Sequence, residues 1–203
     1  REFGIRSAMP ISAAYRACPE AVFLPVDGTL YSEVSGRIMN ILRETNLEVE
    51  PASLDEAYID ATSLGSYKKA KQFAKKLKQE IFTKEKLVCT CGVGPNKMIA
   101  KIACEKAKPN GLRVVSEKEA ETFVEKLTVR KIPGVGEKTA AALQAGNFNT
   151  VGDLKRLSEH EMEDLFGKRG ADMFQKVRGR DESPVVSRRE VKSVGREHTF
   201  DED

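Results

Sequence analysis

The sequence is short of the residues on which several functional classes depend. Its two histidines, His160 and His198, supply no zinc constellation and leave a histidine-based triad unsupported. Its four cysteines have no framework spacing: Cys89 and Cys91 alternate on a strand-like run, while Cys18 and Cys104 are remote from them. A disulfide scaffold is therefore excluded, and a reducing cytosol is the plain reading. No run of about 18 apolar residues appears, which rules out a membrane-spanning helix. No basic segment followed by an apolar one opens the chain, so a secretory signal is not expected. Excess charge of one sign is also lacking, with 34 Lys and Arg against 31 Asp and Glu, a net +3 and an isoelectric point near 8.6. Any nucleic-acid partner must be argued from where the charges sit.

What is present suffices for a folded core. The 203 residues (22.5 kDa) are 40% hydrophobic and 32% charged, enough for one or two domains. Both ends read as cut from a longer chain, since the first residue is Arg1 and residues 197–203 carry no stop signal.

Gly4, Pro10, Pro19, Pro25 and Asp27-Gly28 break residues 1–27 into short pieces. From Leu30, helical spacing places Val34, Ile38, Ile41 and Leu42 on one face. Ser53–Asp60 reads as strand-like, residues 66–82 as an amphipathic helix, and Leu87–Val93 as a buried strand. Pro95-Asn96 opens a further helix that stops at Pro109-Asn110-Gly111, and Leu112–Val115 is a last short strand. This order predicts a mixed α+β layer, with helices covering a sheet, up to a boundary near residue 116. Beyond it only short helices are expected. Ser116 with Glu119 and Ser158 with Glu161 form capping boxes, and Gly146, Gly167 and Gly179 stand where helices end. Residues 180–191 read as a polar linker.

Three features could carry chemistry. Asp55 and Glu56 are adjacent carboxylates at a strand end after a proline-led turn, able to converge on Mg²⁺ or simply to be solvated beside a hairpin. Pro133-Gly134-Val135-Gly136, flanked by Lys131 and Lys138, precedes the helical run Glu137–Ala145. Such a glycine hairpin turns free N–H groups outward and grips a nucleic-acid backbone without reading its sequence, although a plain helical turn has the same outline. Lys97, Lys101 and Lys108 share one helix face, suited to a triphosphate or a template backbone, or else a wet face. The lysines at 68, 69, 71, 75, 76, 78, 84 and 86 read only as the solvated side of an amphipathic helix.

Together these segments resemble the Y-family, DinB-like translesion DNA polymerases. The resemblance rests on Arg1–Pro10, Ser53–Asp60, Gly92–Lys97, Ala100–Ala103, Lys108–Gly111, Ile132–Gly136 and Lys192–Arg196, in the family's order along the whole chain. It implies a palm-type antiparallel or mixed sheet covered by helices, followed by an all-α helix-hairpin-helix thumb. Residues 1–27 would be the remainder of the fingers, 28–115 the palm, 116–178 the thumb, 179–191 the tether, and 192–203 the start of the little finger. It also implies two Mg²⁺ ions with Asp55 and Glu56 as two of three carboxylate ligands, and Arg1 and Lys108 on the incoming dNTP. Ser7, Ala8 and Met9 would roof the nascent base pair, and the small side chains would suit damaged templates. Gly134, Val135, Gly136, Lys138, Lys192 and Arg196 would lie along primer-template DNA. The implied parent is a cytoplasmic polymerase with a sliding clamp as partner.

The family's first metal ligand and its ribonucleotide gate lie on a strand that would precede Arg1. The expectation is therefore an inactive fragment of an active parent. A non-catalytic DNA-binding module, a nucleotidyl cyclase and a structural adaptor are the rival classes, and the last two leave the glycine hairpin or the carboxylate pair unexplained.

Overall fold

The computed structural model describes residues 2–188 and 193–195. The chain forms two compact units, residues 1–33 and 34–203. In the first, Gly4 and Ala8 take positive φ values (72° and 63°) in the turns leading to helix α1 (Ile11–Ala17), which buries Ala14. Helix α2 (Gly28–Arg43) begins where the Asp27 carboxylate accepts the Leu30 N–H at 2.9 Å. The border between the units falls inside this helix.

The second unit opens with a hairpin of β1 (Val49–Pro51) and β2 (Ala57–Ile59), antiparallel, with Glu50 opposite Tyr58. Helix α3 (Tyr67–Glu85) follows, N-capped by Ser66, and buries Ala70, Ala74, Leu77 and Ile81 on the side its spacing predicts. Its lysines are not all solvated, because Lys78 turns inward to donate to the Cys89 and Asn110 carbonyls. Strand β3 (Cys91–Val93), helix α4 (Lys97–Ala107, capped by the Asn96 side chain) and β4 (Leu112–Val114) form a parallel crossover unit. The expected single sheet is thus two ladders of two strands each. The strand expected from Leu87 begins only at Cys91, whose N–H reaches the Gly111 carbonyl. Leu87 and Val88 are 45% and 60% exposed, with no strand alongside them among the described residues. An apolar run becomes strand only where a neighbour completes its ladder.

Five short helices follow: α5 (Glu117–Glu125), α6 (Glu137–Ala145), α7 (Val151–Lys155), α8 (Glu159–Phe166) and α9 (Gly170–Lys176). The Ser116/Glu119 and Ser158/Glu161 boxes close as expected. A third box, Thr150/Asp153, caps α7 with an aspartate in the place usual for glutamate.

Two apolar clusters hold the second unit together. One joins α2, β1 and α3 through Met39, Ile41, Leu42, Val49, Leu77 and Ile81. The other runs unbroken from Met98 and Ile99 of α4 through Val124, Leu154 and Met162 to Met173 and Val177. Burying each such side chain contributes about 1.5–3 kcal/mol. Residue 116 therefore marks a change of secondary structure and not a border between cores, because one face of α4 is shared.

Candidate active site

The β1–β2 turn carries the carboxylate pair. The Ala52 and Ser53 N–H groups both donate to the Glu56 carbonyl, at 2.9 and 3.2 Å. The Ser53 hydroxyl donates to Asp55 Oδ1 (2.7 Å), and Ser35 of α2 donates to the Leu54 carbonyl (2.6 Å). The turn is fixed from within and from α2, while Asp55 and Glu56 stay exposed at its tip.

Helix α4 supplies the facing cations. Lys101 Nζ lies 2.8 Å from Glu56 Oε2, with both side chains 46% exposed. One turn earlier Lys97 Nζ lies 2.6 Å from Glu50 Oε2, where Glu50 is 1% exposed and Lys97 13%. Lys97 also stacks 5.0 Å over the Tyr58 ring. The outer pair is worth at most about 1 kcal/mol; the inner pair is shielded from water and from salt. Accepting the Lys101 hydrogen bond, Glu56 pushes that ammonium's pKa up, and burial pushes the Tyr58 hydroxyl up despite nearby Lys101. Lys108 ends α4 and pairs with Glu105 at 2.8 Å, which raises its pKa. The three lysines therefore do not form one file. Lys97 is committed inward to Glu50, and only Lys101 and Lys108 remain on the wet side.

Asp55, Glu56, Lys101 and Lys108 line one cleft of about 1170 Å³, and Gly134 and Val135 stand on its wall. The glycine hairpin lies between a single 3₁₀ turn (Val129–Lys131) and α6, whose N-cap is Gly136. Gly134 needs to be glycine for its φ of +97°; the Arg169 guanidinium, which donates to its carbonyl at 3.0 Å, is the movable end of an exposed side chain and would shift from an added Cβ. Val135 turns its side chain into the core, 6% exposed, and its N–H donates to the Ile132 carbonyl at 3.0 Å, so the outward amides expected of this hairpin do not include that of Val135. Lys138 is exposed on α6. Ser7, Ala8 and Met9 belong to the first unit, and Arg1, Lys192 and Arg196 lie outside the described residues.

As metal ligands, Asp55 and Glu56 offer adjacent hard oxygens, the donor type Mg²⁺ takes from one or two carboxylates with phosphates and water completing its shell. Among the described residues no third such ligand joins them. Glu50 and Arg169 were not legible as site residues. The one signal for Glu50 was a carboxylate set between Val49 and Pro51 in an otherwise apolar strand.

Residues 1–105 match the impB/mucB/samB family over their full run. The chain belongs to the impB/mucB/samB family. Residues 130–181 match the thumb domain described for DNA polymerase iota, which bears out the helix-hairpin-helix reading of this stretch. As an impB/mucB/samB chain it is 42% identical to DNA polymerase IV 2 of Methanosarcina mazei, with 100% of this chain and 55% of that protein aligned. It is 43% identical to DNA polymerase IV of Francisella tularensis subsp. holarctica, over 100% of this chain and 58% of that protein. The chain thus spans little more than half the length of these relatives. Among solved structures it resembles the insertion ternary complex of Dbh DNA polymerase (TM-score 0.86, 36% identity, 91% of this chain and 55% of that one). It also resembles DinB from Sulfolobus solfataricus (TM-score 0.83, 35% identity, 91% and 55%). The Y-family, DinB-like resemblance and the mixed α+β fold are borne out, and membership of this family points to divalent-metal use. Among the described residues no helix is long and apolar enough to cross a membrane.

Proposed function

We propose that this chain is the part of a translesion DNA polymerase that carries two catalytic carboxylates and the thumb. The observation that supports it best is the placing of Asp55 and Glu56 on a braced turn, facing Lys101 and Lys108 across one cleft walled by the glycine hairpin. On this reading residues 1–27 are fingers, 28–115 palm, 116–178 thumb, 179–191 tether and 192–203 the start of a little finger. The partners are primer-template DNA, an incoming dNTP and, for the longer protein, a sliding clamp, in the cytoplasm.

Each residue then has a task its environment suits. Lys108, with Arg1, neutralises charge gathering on the departing pyrophosphate. Backbone N–H groups at Gly134 and Gly136 and the Lys138 ammonium hold DNA by its phosphates, with Lys192 and Arg196 continuing the contact. Ser7, Ala8 and Met9 cover the nascent base pair with little bulk. Asp55 and Glu56 would hold two Mg²⁺ ions, together with a third carboxylate from the longer protein. When bound, the metal supplies a lowered pKa at the primer hydroxyl and charge neutralisation at the phosphates. Lys101 keeps Glu56 facing the cleft by a weak, exposed contact that gives way readily.

The test is primer extension by the longer protein. Asp55→Ala and Glu56→Ala should abolish extension and leave primer-template binding nearly unchanged; unaltered extension in either variant refutes the assignment. A second reading, DNA binding without catalysis by these 203 residues, rests on the match of residues 130–181 to a polymerase thumb domain, which does not involve the carboxylate turn. Mg²⁺-dependent extension by the 203-residue chain would exclude it, and binding without extension would support it.

A further inference from the structure

The segment after α9 has neither helix nor strand, yet its backbone is tied down along its length. Gly179 has φ +78° and passes so close to α5 that a Cβ would press on the Ala120 carbonyl carbon and oxygen at 3.0–3.1 Å. Its carbonyl accepts the Asn96 side-chain N–H at 2.8 Å. The Asp181 carboxylate then accepts the Met98 N–H at 3.1 Å. Lys97 Nζ donates to the Pro184 carbonyl at 3.1 Å, Val186 N–H to Glu50 Oε2 at 3.0 Å, and Ser187 N–H to Glu48 Oε1 at 3.2 Å. A polar tether needs none of this.

We infer that the Glu50–Lys97 pair is a latch that docks residues 180–187 across the β1–β2 hairpin and the start of α4. Both partners are withdrawn from water, and a buried ion pair is tolerable only where its remaining donors and acceptors are filled. The segment helps fill them: the Pro184 carbonyl takes an ammonium N–H, and the Val186 amide serves the same carboxylate oxygen that Lys97 binds. These partners are two residues apart on the segment, so the pair holds its backbone at two points. Lys97 is a positioning residue. It joins the strand beside the carboxylate turn, the helix bearing Lys101 and Lys108, and the segment leading on from the thumb helices. The latch is a property of the fold and stands whether or not the chain synthesises DNA.

Amide hydrogen exchange on the 203-residue chain tests it, with Lys97→Met and Val186→Pro. The second variant removes the Val186 donor and leaves the ion pair in place. Exchange in residues 182–188 should accelerate about tenfold or more in both, the loss of one or two hydrogen bonds, while α6 and α8 keep their protection. Raising salt should leave the wild-type protection of this segment unchanged, because the pair is buried, whereas an adhesion made by surface charges would weaken. If Lys97→Met loosens the entire chain, Val186→Pro decides: local acceleration supports the latch and an unaltered segment overturns it. Wild-type residues 182–188 exchanging as fast as a free peptide would overturn it as well.

Discussion

Glycine-to-alanine substitution should act with opposite sign at two positions of the second unit. Gly92 lies in β3 beneath α4, and a Cβ there would overlap the Ala100 carbonyl oxygen and the Cys104 amide nitrogen. Both obstacles are backbone, so no side-chain rotation relieves them. Helix α4 has to move outward, carrying Lys101 away from Glu56. Overpacking of this kind costs about 3 kcal/mol, the upper end of its usual range. For a chain of this size that lowers Tm by about 6–12 °C. Gly36 lies inside α2, and a Cβ added there would meet nothing within 4 Å. There alanine removes only the backbone entropy penalty of a helical glycine, worth about 0.5–1 kcal/mol, and Tm should rise by about 1–4 °C. Thermal denaturation followed by circular dichroism reads both variants. Gly92→Ala melting within a degree or so of wild type would refute the close approach of β3 and α4, and with it the placing of the two lysines.

Other measurements probe separate parts of the chain. Hydrogen bonds at the helix caps hold the Glu119, Asp153 and Glu161 carboxyls below their ordinary pKa. Their contribution is complete above the ordinary carboxylate range and is lost as pH falls through the lowered values, so Tm should drop on acidification and Glu161→Gln should flatten that drop. The hydrogen bond shared with Cys91 lowers the Cys89 thiol to about 7, and Cys91 is itself pushed up. Iodoacetamide should therefore modify Cys89 before Cys91 and Cys104, with a rate that rises through neutral pH, and Cys91→Ala should move that rise to higher pH. If the glycine hairpin grips phosphates, log–log plots of primer-template affinity against salt should be linear, and Lys138→Ala should reduce the slope by about 0.9. An unchanged slope would remove Lys138 from the interface.

Local patterns with a strong period or a complete cap were legible in the sequence. The stripe Ala70–Ala74–Leu77–Ile81, the Asn96 start of α4 and the Ser116 and Ser158 boxes all appear where the residues predict them. Thr150/Asp153 escaped notice because aspartate reaches the same amide with a shorter arm. Leu87–Val93 misled for a different reason: strand propensity says nothing about whether a partner strand is present to satisfy the backbone. The glycine hairpin and the carboxylate turn were visible as compositions, but their meeting in one cleft depends on α4 packing over β3, a contact made by backbone around Gly92. Glu50 was the least legible. Its burial depends on Lys97, 47 positions later, and on Val186, 136 positions later. The hold on residues 184–187 was hidden for the same reason, since the segment is polar and the partners that hold it are distant in sequence.

The apolar cluster shared by α4 and the five short helices has a practical consequence for anyone exchanging parts between homologues. A splice at residue 116 would follow the visible change from mixed to all-helical architecture, yet it would match Met98, Ile99, Ile102 and Ala103 of one parent with Val124, Leu154 and Met173 of another. Side chains packed together in one buried cluster would then come from different parents. Moving the crossover upstream of Pro95 keeps α4 with the short helices, at the expense of the Gly92 contact and the two Lys–Glu pairs. Each candidate junction thus breaks a different set of matched residues, and the hybrid most apt to fold is one whose parents agree at Gly92, Glu50 and Lys97.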